Sequence, residues 1–273
     1  MNEIREKWLA RLKRPLAREK QGQNDWYRLQ NKAGETPALY IYDEIGYFGD
    51  SAKGLVDQLN QVDGGQIDVH LNSPGGDIFD GLAIYQALKN HPAQVTVRID
   101  GLAASIASVI AMAGDKVVMA PKASMMIHDG WTVACGNAAE LTKMANLLDT
   151  QSQIIASVYA DRSNSDAEFW RAQMQAETWY TAEEALEAGL IDEIEGQEKK
   201  AADPFDLGVF AHAGRENAPA PVTKPQLKGE HGPEVLDIPS GTAVVPVEPK
   251  KDEPEPFVWD FAAFKSALQE GVK

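Results

Sequence analysis

Residues 101–114 read GLAASIASVIAMAG, a run of small and apolar residues that holds two hydroxyls, Ser105 and Ser108. Two readings fit such a run. A helix packed so closely that only Gly, Ala and Ser fit would carry both hydroxyls as fillers. A strand turning into a buried helix would instead use one of them as a nucleophile. A serine hydroxyl attacks poorly at neutral pH and needs a base within hydrogen-bond reach. Histidine suits that task because its ordinary pKa lies near working pH, and it needs a carboxylate to fix its tautomer.

The chain offers five histidines. His70, in DVHLN, reads as packed or partly exposed, and His91 precedes Pro92 at a helix end, where positive charge favours the dipole. His212 and His231 lie in a proline-rich region, and His128 lies in ASMMIHDG, where residue type alone fits a packed structural histidine as well as a base. A further element is SPGG at 73–76. Its glycines let main chain approach a ligand closely, which suits preorganised N–H donors for an oxyanion. The spacings contain no Cys/His or HExxH metal pattern and no GxGxxG or GxxxxGK nucleotide loop, so hydrolysis without a cofactor is expected.

These residues fall at the joints of an alternating chain. ALYIYDEIG (38–46) reads as a strand, and SAKGLVDQLNQV from Ser51 as a helix. QIDVHLNSPGG gives an alternating strand that ends in a turn, and FDGLAIYQALKNH gives a helix. QVTVRIDG is a strand running directly into the Ser105 segment, followed by the short strands VVMA and SMMIHDG. Asn137 with Glu140 predicts a capping box that opens a long helix to about Arg162. A last helix at 182–188 stops at Gly189, and LIDEIE closes the pattern as a strand. Such alternation predicts an α/β domain with largely parallel strands covered by helices.

Composition bounds the rest. A formal charge of -15 with no offsetting basic stripe argues against nucleic acid as a partner. No apolar run approaches the ~20 residues that span a bilayer, so no membrane partner is expected. Cys135 is the only cysteine, which excludes an intrachain disulfide and suits a reducing cytoplasm. Ten of the fifteen prolines fall between Pro204 and Pro256. The predicted organisation is therefore a basic N-terminal arm (1–30), a folded domain (31–197), a disordered Pro-rich linker (198–256) and a short amphipathic docking helix (257–273). The last carries Phe257, Phe261, Phe264 and Leu268 at helical spacing.

Three segments in this order, LNSPGGDIFDGLAIYQAL, GLAASIASVIAMAG with ASMMIHDG, and ETWYTAEEALEAGLIDEI, resemble the proteolytic subunit of the Clp protease. They are most similar to the Clp-like head-maturation proteases of tailed phages. The resemblance covers about residues 36–196. It implies a ClpP/crotonase-like superhelix of ββα units and a serine endopeptidase activity. By position it makes Ser105 the nucleophile, His128 the base and Glu177 the third member of the triad, where cellular relatives usually have Asp. Asp161 and Asp166 are rivals for that third place. The oxyanion donors would be the amides of Gly76 and Ile106, and Ser108 would be a packed helix serine. The partners implied are the chain itself, in a heptameric ring or double ring, and capsid or scaffold proteins cut inside an assembling procapsid in the host cytoplasm. If the 198 boundary holds, truncation there leaves hydrolysis intact.

Three other readings fit parts of the pattern. A crotonase-type acyl-CoA enzyme would share the fold but would not need a Ser–His pair. A Ser–Lys peptidase would have to recruit Lys116, the nearest downstream lysine, from a different register. A catalytically inactive assembly protein would keep the fold as a platform.

Overall fold

The computed structural model describes residues 26–46, 51–63, 65–195, 205 and 207–223. Nearly all of the N-terminal arm, most of the linker and the whole docking helix expected at 257–273 lie outside the described residues.

The strands are β1 (Tyr27–Gln30), β2 (Ala38–Ile41), β3 (Gln66–Ser73), β4 (Gln94–Ala104), β5 (Lys116–Met119), β6 (Ser124–Ile127), β7 (Thr178–Tyr180) and β8 (Glu193–Ile194). The helices are α1 (Lys53–Leu59), α2 (Ile78–Lys89), α3 (Ile106–Ala111), α4 (Ala138–Ser163), α5 (Ala167–Gln175) and α6 (Ala182–Glu187). This is the mixed α/β alternation expected, with β1 and α5 as additions that the sequence pattern did not single out. Pairing runs β1-β2-β3-β4-β5-β8, while β6 branches off β4 and pairs with β7. All pairs are parallel except β1–β2 and β6–β7.

The branch arises because β4 is long. Its first half, Thr96–Ile99, pairs with β5, and its last three residues, Leu102–Ala104, pair with β6. Parallel pairing brings the C-terminal ends of β3, β4 and β6 to the same edge, the usual place for a site in such sheets.

Helices pack onto this edge through small residues. Gly81 of α2 lets that helix touch α3, since a Cβ there would stand 2.1 Å from Ile106 Cγ1. Asp77 starts α2 by accepting the N–H groups of Phe79 and Asp80 at 2.9 Å. The predicted capping box opens α4: Asn137 Oδ1 accepts from Glu140 N at 3.1 Å, and Glu140 Oε2 from Asn137 N at 2.6 Å. Only the C-terminal half of α4 is buried, through Ile155, Ala156, Val158, Tyr159 and Ala160. Farther toward its start, Leu141 and Leu147 are exposed.

The β4–β6–β7 branch is apolar on both faces. Ala103, Met125, Ile127 and Tyr180 join the main core, while Leu102, Ala104, Met126 and Trp179 form a second cluster. Phe205, Leu207, Phe210 and Ala218 cover that second cluster. The ordered fold thus continues past the boundary expected at 197, through one-turn 3-10 helices at Leu207–Val209 and Arg215–Asn217. Proline density marked this stretch as linker, but its apolar residues have a face to bury.

Candidate active site

Ser105 follows the last residue of β4 and caps α3, in a conformation with φ 55 and ψ -131. A β-carbon makes positive φ costly, and non-glycine residues so held cluster at functional sites. Two contacts hold the turn. Ser105 N donates to Met126 O at 2.9 Å, and Ser108 N returns to Ser105 O at 3.0 Å. Met126 lies on β6, two residues before His128, so the same pairing that fixes Ser105 also delivers the imidazole.

The His128 Nε2 and Ser105 Oγ atoms are 2.7 Å apart. Both residues are half-buried, so the pair is sheltered yet reachable from solvent. A bond of this length is what a base needs in order to take a hydroxyl proton.

The SPGG turn closes the other side. Ser73 is buried, donates to Asp43 O at 2.7 Å and accepts from Gly75 N at 3.2 Å. Gly75 has φ 100, and a Cβ there would meet Ser105 Cβ at 2.7 Å and Ala104 O at 2.9 Å. Close approach of main chain to the nucleophile therefore requires glycine at 75. Gly76 bridges to Ile45, but the bonds of that bridge use Gly75 O and Asp77 N. The Gly76 N–H thus lies outside the bridge, and the Ile106 N–H begins α3.

Ser108 is fully buried; its hydroxyl donates to Ser105 O at 2.5 Å and meets Tyr159 Oη at 2.7 Å. It is the packed serine of the pair. His70 sits on β3, half-buried, with Nδ1 2.8 Å from Asp100 Oδ2 and its ring stacked on Tyr40.

Glu177 departs from expectation. It too has positive φ, 51, immediately before β7. Its carboxylate accepts from Ala211 N and His212 N, each at 2.7 Å, and from Trp179 Nε1 at 3.3 Å. His128 is not among those partners, so the direct bond expected of a third triad member is not made. The physical reason is the segment after residue 205, whose two backbone N–H groups occupy both carboxylate oxygens. Of the rivals, Asp166 caps α5 by accepting Glu168 N at 2.9 Å, and Asp161 is exposed on α4. Sequence reasoning also missed Phe210, whose ring stands T-shaped to His128 at 5.7 Å and to Trp179 at 5.8 Å. Four apolar residues within FDLGVF, among prolines, were the available signal.

Among the described residues, no group of three His, Cys, Asp or Glu could hold a metal, and no helix is long and apolar enough to cross a membrane.

A family profile described as Clp protease matches residues 21–198. The chain belongs to the Clp protease family. It is similar to the ATP-dependent Clp protease proteolytic subunit of Bacteroides thetaiotaomicron, 34% identical over 50% of this chain and 63% of that protein. Similar matches are the same subunit of Ligilactobacillus salivarius (34%, covering 55% of this chain and 80% of the relative) and of Deinococcus radiodurans (31%, 55% and 76%). The chain therefore spans somewhat less than two thirds of the Bacteroides relative's length, and the described residues 205 and 207–223 lie beyond the family match.

Proposed function

We propose that this chain is a serine endopeptidase. Ser105 Oγ attacks the scissile carbonyl while His128 Nε2 takes its proton. The imidazolium then gives that proton to the leaving amine, which departs and leaves an acyl-serine. Water, deprotonated by the same imidazole, cleaves the ester and returns the proton to Ser105. The amides of Gly76 and Ile106 are the donors for the tetrahedral oxyanion. One observation carries this reading: a serine with positive φ at a strand–helix joint, 2.7 Å from a histidine nitrogen. A crotonase-type acyl-CoA enzyme would have no use for that pair.

The substrate class we assign is scaffold or capsid protein during phage head assembly, in the host cytoplasm and inside the procapsid. Support comes from the three-segment resemblance and from a long chain beyond the family match. We also propose self-assembly into a heptameric ring or double ring, supported by family membership and by α4, whose first half carries Leu141 and Leu147 exposed. Light scattering should give a mass of at least seven chains.

A serine-directed fluorophosphonate probe tests the chemistry. It should label the wild type and fail on Ser105→Ala, and His128→Ala should lose hydrolysis to a comparable degree. An unlabelled but folded wild type would favour the inactive assembly platform. Equal labelling of Ser105→Ala would sink the assignment.

A further inference from the structure

The segment that follows the family domain returns to the catalytic pair. Glu177 holds the amides of Ala211 and His212. Arg215 donates through Nε to Glu184 Oε2 at 2.6 Å and through Nη2 to Glu184 Oε1 at 2.5 Å, a bidentate clasp onto α6. Between these anchors and Leu207, Phe210 is wedged against the His128 and Trp179 rings. An inhibitory plug would seal the nucleophile, yet Ser105 and His128 are only half-buried with this segment in place. The segment therefore flanks the imidazole.

We infer that residues 207–218 are a positioning strap, in which Phe210 holds the His128 ring in the orientation that presents Nε2 to Ser105, and Glu177 is the clasp that seats Phe210. This rests on the serine-peptidase reading above. The argument is geometric. With centroids 5.7 Å apart and planes at 83°, the Phe210 ring packs edge-to-face on the imidazole and limits its swing to that side. The 2.7 Å bond to Ser105 persists only in one ring orientation. Glu177 fixes the main chain on the C-terminal side of Phe210, so its effect on His128 passes through the strap. It is a positioning residue, and it makes the site depend on a segment that lies beyond the family match at 21–198.

The test uses the full-length chain and a short fluorogenic peptide, with rates expressed per folded subunit. Phe210→Ala should lower kcat by ten- to a hundred-fold with KM within about twofold, as misplacement of a catalytic group does. Phe210→Tyr, which keeps the ring, should restore kcat to within a few-fold of wild type. Glu177→Ala should match Phe210→Ala, and the double variant should be no worse than either single one. If Phe210→Ala lowers the folded fraction, Phe210→Leu gives the same comparison with less lost packing. Wild-type or faster turnover in Phe210→Ala or Phe210→Leu overturns the strap, as a faster enzyme would mean a plug. Multiplying losses in the double variant overturn the clasp, since Glu177 would then act by another route. A wild type that neither labels nor hydrolyses overturns the peptidase reading instead, so the two failures are distinguishable.

Discussion

Ser108 donates its hydroxyl proton to the carbonyl of Ser105 at 2.5 Å. That proton is thereby used, so the 2.7 Å bond to Tyr159 must run from the tyrosine to Ser108. Burial pushes the Tyr159 hydroxyl well above its ordinary pKa, which keeps it a donor. The two serines of the opening segment thus differ in kind: one faces a histidine, and the other ties α3 to α4.

Ser108→Ala should therefore act on stability more than on chemistry. It strands the buried Tyr159 hydroxyl at a cost of about 1–3 kcal/mol. The Ser105 carbonyl keeps its bond from Ser108 N. Chemical denaturation should register the loss, while probe labelling of Ser105 should stay within about tenfold of wild type.

Gly75→Ala should damage the site directly. The new Cβ meets Ser105 Cβ and the Ala104 carbonyl, at a φ of 100 that side chains rarely adopt. Strain of about 1–3 kcal/mol is expected, relieved by displacing the nucleophile. Turnover should fall on the order of a hundredfold with the domain still folded by circular dichroism. Normal turnover would mean that the turn is not part of the site.

The Glu184–Arg215 clasp makes the strap sensitive to acid. The Arg215 hydrogen bonds hold the Glu184 carboxyl below its ordinary value of 4.5. A carboxyl lowered on folding stabilises fully above its unfolded pKa, and that stability is lost as pH falls through the folded one. Thermal stability should thus decline below about pH 4.5, and Arg215→Gln should remove this part of the decline. The comparison of melting curves at neutral pH and near pH 4 reads it out.

Truncation separates the strap from the rest of the tail. A chain ending at 198 uncovers Leu102, Ala104, Met126 and Trp179 by removing Phe205, Leu207, Phe210 and Ala218. Three half-buried large side chains amount to roughly 3–5 kcal/mol. Melting should fall by about 10 °C or more, and hydrolysis should be lost, contrary to the expectation from the 198 boundary. A chain ending at 223 should keep both. Equal activity of the two truncations would show that the strap is dispensable.

The sequence by itself determined the parts of this protein that local pattern controls. Alternation gave the order of strands and helices, Asn137 and Glu140 gave the start of α4, and the small residues around Ser105 gave a tight strand–helix joint. Tertiary structure alone decided the partners of Glu177, because its two oxygens are claimed by backbone N–H groups 34 and 35 positions away. Backbone donors leave no trace in residue type, so no spacing could announce them. A partial signal did exist. Met125, Met126 and Ile127 are apolar on consecutive positions, and a strand apolar on both faces must be covered on both. What covers the second face was fixed only when the chain beyond β8 folded back. Burial of Leu207 and Phe210 outweighed the entropy of ordering a segment whose composition alone reads as linker.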